Sequence, residues 1–141
     1  MELVWNSTSQ LHSKAVGKGL KGYLRGKRFP ADAHNYVGVI FLKQGNLQEA
    51  ASQFTETIRL NPDHAYGHRN LAAVLAREKR FQEAIPLLRK AIQIFPSYAE
   101  AHLNLGIVYC EMGRKDLALS EYEILQRIDP ARAAVLSQSM K

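Results

Sequence analysis

The chain is predicted to be all-α: three helix-turn-helix repeats in an array, with a capping helix at each end. Three observations predict this. Pro62, Pro96 and Pro130 stand 34 residues apart. Ala31-Asp-Ala-His34, Ala65-Tyr-Gly-His68 and Ala99-Glu-Ala-His102 fall in the same register. So do the small residues Gly38, Ala72 and Gly106, then Ala50, Ala84 and Ala118, then Phe54, Leu88 and Tyr122. A fixed period of this length marks stacked units, each of which needs its neighbours to bury its apolar face.

Each repeat is justified by its own residues. In the third, Ala101, Leu105, Val108 and Tyr109 follow the spacing of an amphipathic helix. Gly113 ends that helix, because glycine enters the left-handed region without a steric penalty. A second helix carries the apolar stripe Leu117, Ala118, Leu119, Tyr122, Leu125 and Ile128. Asp129-Pro130 stops it, since the residue before proline leaves the helical region. Gly45 and Pro62 punctuate the first repeat alike. In the second, Glu78-Lys79-Arg80 stands where the turn glycine belongs, which predicts a tighter or less regular turn. Pro86 falls inside a helix and removes one donor there. The recurring small residues are expected where the two helices of one repeat come closest.

The repeats are drawn as residues 31–64, 65–98 and 99–132, with a capping helix over 133–141. Residues 1–30 form a basic arm and front cap. Val16, Leu20, Tyr23 and Leu24 lie at helical spacing there, interrupted by four glycines. The arm carries Lys14, Lys18, Lys21, Arg25, Lys27 and Arg28 against Glu2, so +5 of the net +6 lies there. The array itself is close to neutral. Residues 1–12 are expected to be disordered.

These features resemble the tetratricopeptide repeat family over residues 31–130. The resemblance implies antiparallel helix pairs wound into a right-handed superhelix, with first helices lining a concave groove. The family often has tryptophan where this chain has His34, His68 and His102. The implied peptide-binding groove takes Asn35, Tyr36 and Lys43 from the first repeat. Tyr66, Arg69, Asn70 and Arg77 come from the second, and Leu103, Asn104 and Glu111 from the third. Asn70 and Asn104 share one repeat position, where family members grip a peptide backbone with the amide. Some members clamp a terminal carboxylate with lysine, asparagine and arginine. Of that set only Asn70 survives, with Glu100 and Asn104 in place of the last two cations.

Other motifs argue for little. Gly17-Lys-Gly-Leu-Lys-Gly22 spells a dinucleotide fingerprint, but no strand precedes it and no βαβ unit follows. Histidines on successive first helices stand ~8–10 Å apart, too far to share one zinc ion. They are expected to fill the aromatic place of each repeat. Cys110 is the only cysteine, which excludes an internal disulfide and fits a reducing, cytoplasmic setting. No nucleophile–base set, secretory signal or membrane-length apolar run is evident.

The sequence therefore predicts a non-enzymatic adaptor or scaffold without cofactor or metal. It binds a protein or peptide, for which Arg69 and Arg77 suggest at least one acidic residue. The alternative is an assembly subunit, or an excised repeat domain of a larger complex or enzyme, self-associating through its repeat ends. Polyanion attachment (nucleic acid or membrane) through the basic arm is the least favoured reading, because glycines dilute its helix face.

Overall fold

A computed structural model describes residues 30–141. The basic arm, the capping helix expected within it and the Gly17–Gly22 motif lie outside the described residues. Among those described there are seven helices and no strand. They are α1 (Pro30–Lys43), α2 (Leu47–Leu60), α3 (Ala65–Arg77), α4 (Phe81–Ile94), α5 (Ala99–Glu111), α6 (Lys115–Ile128) and α7 (Pro130–Ser139). None of them is long and apolar enough to cross a membrane. The chain divides into two compact units, one ending at Pro62 and one running from Asp63 to Lys141.

In the first unit α1 packs along α2. Gly38 is needed at this contact. A β-carbon there would stand 2.7 Å from Cδ1 of Phe54, whose ring is fully buried. The short residues Ala31, Ala33 and Ala50 complete the buried face. Thr57, also buried, turns its hydroxyl back to donate to the Gln53 carbonyl at 2.9 Å.

In the second unit α3 packs on α4, α5 on α4 and α6, and α7 on both α5 and α6. One apolar cluster joins Ala72, Leu75, Leu88, Leu105, Val108 and Tyr109. A second, made of Leu125, Ala133 and Leu136, seals the end under α7. Gly106 departs from expectation here. Its missing β-carbon makes room for Leu136 of α7, whose Cδ1 would lie 2.9 Å away, and not for the facing helix α6. The same repeat position thus serves a different neighbour in the last repeat, because α7 takes the place of a following first helix.

The turn after α3 also corrects the sequence reading. Lys79 adopts a φ of 61°, beside 79° at Gly45 and 73° at Gly113. Arg80 N–H donates to the Leu75 carbonyl at 2.8 Å, as Asn46 does to Phe41 at 2.9 Å and Arg114 to Tyr109 at 2.8 Å. The turn is therefore the same as in the other pairs. Lysine bears the steric cost, because the helices on either side over-determine the chain's path.

Pro86 lies within α4, which continues unbroken to Ile94. Proline has the opposite effect at Pro130. It both follows the end of α6 and opens α7, so the closing helix begins three residues before the drawn boundary at 133. Its fixed φ suits the first helical turn, where no partner for its nitrogen is needed. Asp129 caps α7 by accepting from the Arg132 N–H at 3.2 Å. The guanidinium of Arg132 donates to the same carboxyl at 2.6 Å. That bond to Arg132, first among the causes, holds the Asp129 pKa below the usual carboxylate range.

Candidate peptide-binding face

The sequence places candidate residues in both units. In the first, Tyr36 and Lys43 of α1 are exposed and Asn35 is half-buried. In the second, Tyr66, Arg77 and Glu111 are exposed, whereas Arg69, Leu103 and Asn104 are half-buried. Asn70 is buried, at 5% exposure. Leu103 leans on the cluster under α7, so part of its surface is already taken within the chain.

Arg69 organises this face. Its Nη1 donates to Asn70 Oδ1 at 2.9 Å. Its Nη2 lies 3.0 Å from Glu100 Oε2. With the Asn104 amide turned so that its oxygen faces Arg69, that oxygen accepts from Nε at 3.2 Å. The Asn104 nitrogen then donates to the Glu100 carbonyl at 3.3 Å. Every nitrogen of the guanidinium is thus engaged, and both asparagines expected to hold a peptide hold Arg69. Glu100 turns its other oxygen to Arg132 Nη2 of α7 at 3.2 Å. Arg69, Glu100 and Arg132 form a ladder of alternating charge across three helices.

Beside the ladder lies an apolar cleft of about 140 Å³. Ala72, Ala73 and Ala76 of α3 form one wall and Leu88 lies behind. Asn104, Ile107 and Val108 of α5 form the other wall. Alanines leave the space open, where larger side chains would fill it. A cleft of this size takes one apolar side chain next to a single amide. An aromatic group adjoins the start of α3. Tyr66, 54% exposed, meets Tyr98 edge-on at 5.3 Å, and Phe95 stacks on Tyr98 at 5.4 Å. Burial pushes the Tyr98 hydroxyl up to about 12, so it stays neutral.

The histidines tie helices together. His102 Nδ1 lies 2.7 Å from Glu121 Oε2, and its Nε2 lies 2.8 Å from the Pro96 carbonyl. A neutral ring has one N–H, so only the imidazolium donates to both acceptors. Burial opposes that charge, but the bonds to Glu121 and Pro96 outweigh it and raise the His102 pKa above 6.5. His34 Nδ1 makes the corresponding bond to Gln53 Oε1 at 2.8 Å. In both cases the partner stands 19 residues on. At that offset from His68 stands Leu87, which offers no hydrogen bond. The fixed offset was present in the sequence, but a histidine alone gives no reason to look for it. Burial raises the Cys110 pKa as well, which keeps the thiol in its unreactive form. No cluster of three metal-ligating side chains occurs among the described residues.

Comparison with known proteins agrees with this architecture. One family model, described as a tetratricopeptide repeat, matches residues 23–56 and 38–99. A second with the same description matches residues 75–137. No curated protein is significantly similar in sequence. Among solved structures, MamA is 25% identical, with a TM-score of 0.75 over 93% of this chain and 78% of that one. The Arabidopsis OM64 TPR domain is 23% identical, with a TM-score of 0.74 over 78% of this chain and 93% of that one. The TPR2B domain of yeast Sti1, solved as a complex with pHsp70, is 24% identical. Its TM-score is 0.73, over 78% of this chain and 92% of that one. These last two likenesses speak to the fold alone. With the 34-residue period, the paired helices and the matched family models in agreement, the chain belongs to the tetratricopeptide repeat family.

Proposed function

We propose that this protein is a non-enzymatic interaction module whose α3–α5 face binds a peptide segment of a partner protein. The observation that carries this reading is the open apolar cleft between Ala73 and Ile107, bordered by the Asn104 amide. An apolar anchor in a cleft with one polar neighbour is the usual economy of peptide recognition. The complexes of relatives support it: the second TPR of Spaghetti (RPAP3) was solved bound to the HSP90 peptide SRMEEVD. An acidic residue in the partner, which Arg69 and Arg77 suggest, would have to compete with Glu100 for Arg69. The lone cysteine suits action in a reducing, cytoplasmic compartment.

Peptide-array binding followed by methyl NMR tests the reading. A selected peptide is expected to shift the Ile107, Val108 and Leu88 methyls, and it should carry an apolar anchor. Shifts confined to other surfaces would overturn it. A second reading, self-association, draws support from Leu119, Ile128 and Val135, large apolar side chains that are 40–51% exposed. Sedimentation at rising concentration tests it, and a monomer throughout would remove it.

A further inference from the structure

We propose that Glu100 is the residue that sets the charge preference of the α3–α5 face. It occupies, from within the chain, the position between Arg69 and Arg132 that a partner's carboxylate would otherwise take. Its two oxygens are divided between the two guanidiniums, at 3.0 Å to Arg69 and 3.2 Å to Arg132. Arg132 is met a second time by Asp129 at 2.6 Å. The two cations and two carboxylates sum to zero charge, so the cluster offers an incoming anion no net attraction. The carboxylate is also cheap to keep there. Its side chain is 41% exposed, so holding it in place costs little desolvation.

An acidic ligand must therefore displace Glu100, trading one charge-assisted pair for another, while a neutral ligand leaves the ladder whole. Selectivity arises because the competitor is supplied in advance. Removing the charge of Glu100 leaves Arg69 facing neutral amide oxygens, among them those of Asn70 and Asn104. The pair Arg69 and Arg132 then becomes a site for a carboxylate, with the short, directional geometry that guanidinium provides.

This inference rests on the proposed peptide-binding face for its biological meaning, and the experiment separates the two. The first probe is acetyl-triglutamate, which has no apolar anchor and does not need the cleft. It is titrated into the wild-type protein and the Glu100→Gln variant, with the Arg69 and Arg132 Nε–Hε resonances followed by NMR, the latter serving where Arg69 is replaced. The wild type should show no saturable shift, and the variant should bind at least tenfold more tightly. Raising salt should weaken that binding, and adding Arg69→Gln should abolish it. Glu100→Lys is the second variant, for which a larger gain is expected. Triglutamate binding equally well to wild type, or to none of the variants, overturns the inference. The second probe is a neutral, amidated peptide with one leucine, read at the Ile107 methyl. If it fails to bind any form while the Glu100 variants gain triglutamate, the charge role stands and the cleft reading falls.

Discussion

The first and third helix pairs solve one packing problem with different chemistry. Both begin with a histidine on the first helix, tied to a residue 19 positions on in the second. In the first pair the partner is the side-chain amide of Gln53, which carries no charge of its own. In the third it is the carboxylate of Glu121, with the Pro96 carbonyl accepting on the other side of the ring. Both pairs also use a helical glycine, but Gly38 admits the ring of Phe54 from its own pair and Gly106 admits Leu136 of α7. The repeat period preserves where a residue sits, and the local neighbours decide what it does.

The largest effect should come from the glycine contacts. Leu136→Ala removes a fully buried side chain and should cost about 2–5 kcal/mol by urea denaturation. Gly106→Ala should cost about 1–3 kcal/mol, because its β-carbon meets a side chain that is held on all sides. In the Leu136→Ala background the same change should be neutral or favourable, since helix propensity is then unopposed. Additive costs in the double variant would break the assignment of Gly106 to α7.

The histidine ties come next. Glu121→Leu should cost about 1–3 kcal/mol by leaving a buried donor without its acceptor, and Gln53→Leu should cost less. The pH dependence sharpens the contrast. The His102 pKa is raised above 6.5 in the folded state. Its contribution is therefore complete below pH 6.5 and is lost as pH rises through the raised value. Urea midpoints between pH 6 and 9 should fall more in the wild type than in Glu121→Gln. Gln53→Glu should bring a similar pH dependence to the first pair, and a flat response there would contradict the shared-geometry account. The smallest effect is a gain. Lys79→Gly should stabilise the protein by about 1 kcal/mol, because glycine occupies a φ of 61° without a steric penalty.

Much of this was legible in the sequence, for a definable reason. Helix order and the places of the small residues recur every 34 residues, so each repeat corroborates the others, although the neighbours that Gly38 and Gly106 admit are large side chains. What repeats weakly was hidden. Lys79 in a left-handed turn breaks local propensity, and only the flanking helices dictate it. Pro130 reads as a stop, yet it also starts α7, because Asp129 supplies the cap. The groove was the least legible part. Asn70 and Asn104 invite a peptide backbone when read along the chain, and nothing in that reading indicates that both amide oxygens also meet Arg69. The cleft itself is made by absence, by three alanines opposite Ile107, and absence leaves little trace in a sequence.

The most direct test fills that absence. Ala73→Trp places an indole in the cleft at a half-buried position, leaving the buried core untouched. Titration calorimetry compares it with wild type, using the tightest peptide selected from an array, after circular dichroism has established equal helicity. The account predicts at least tenfold weaker binding, equivalent to about 1.4 kcal/mol. An unchanged affinity in a fully folded variant would contradict the claim that this cleft is where the protein holds its partner.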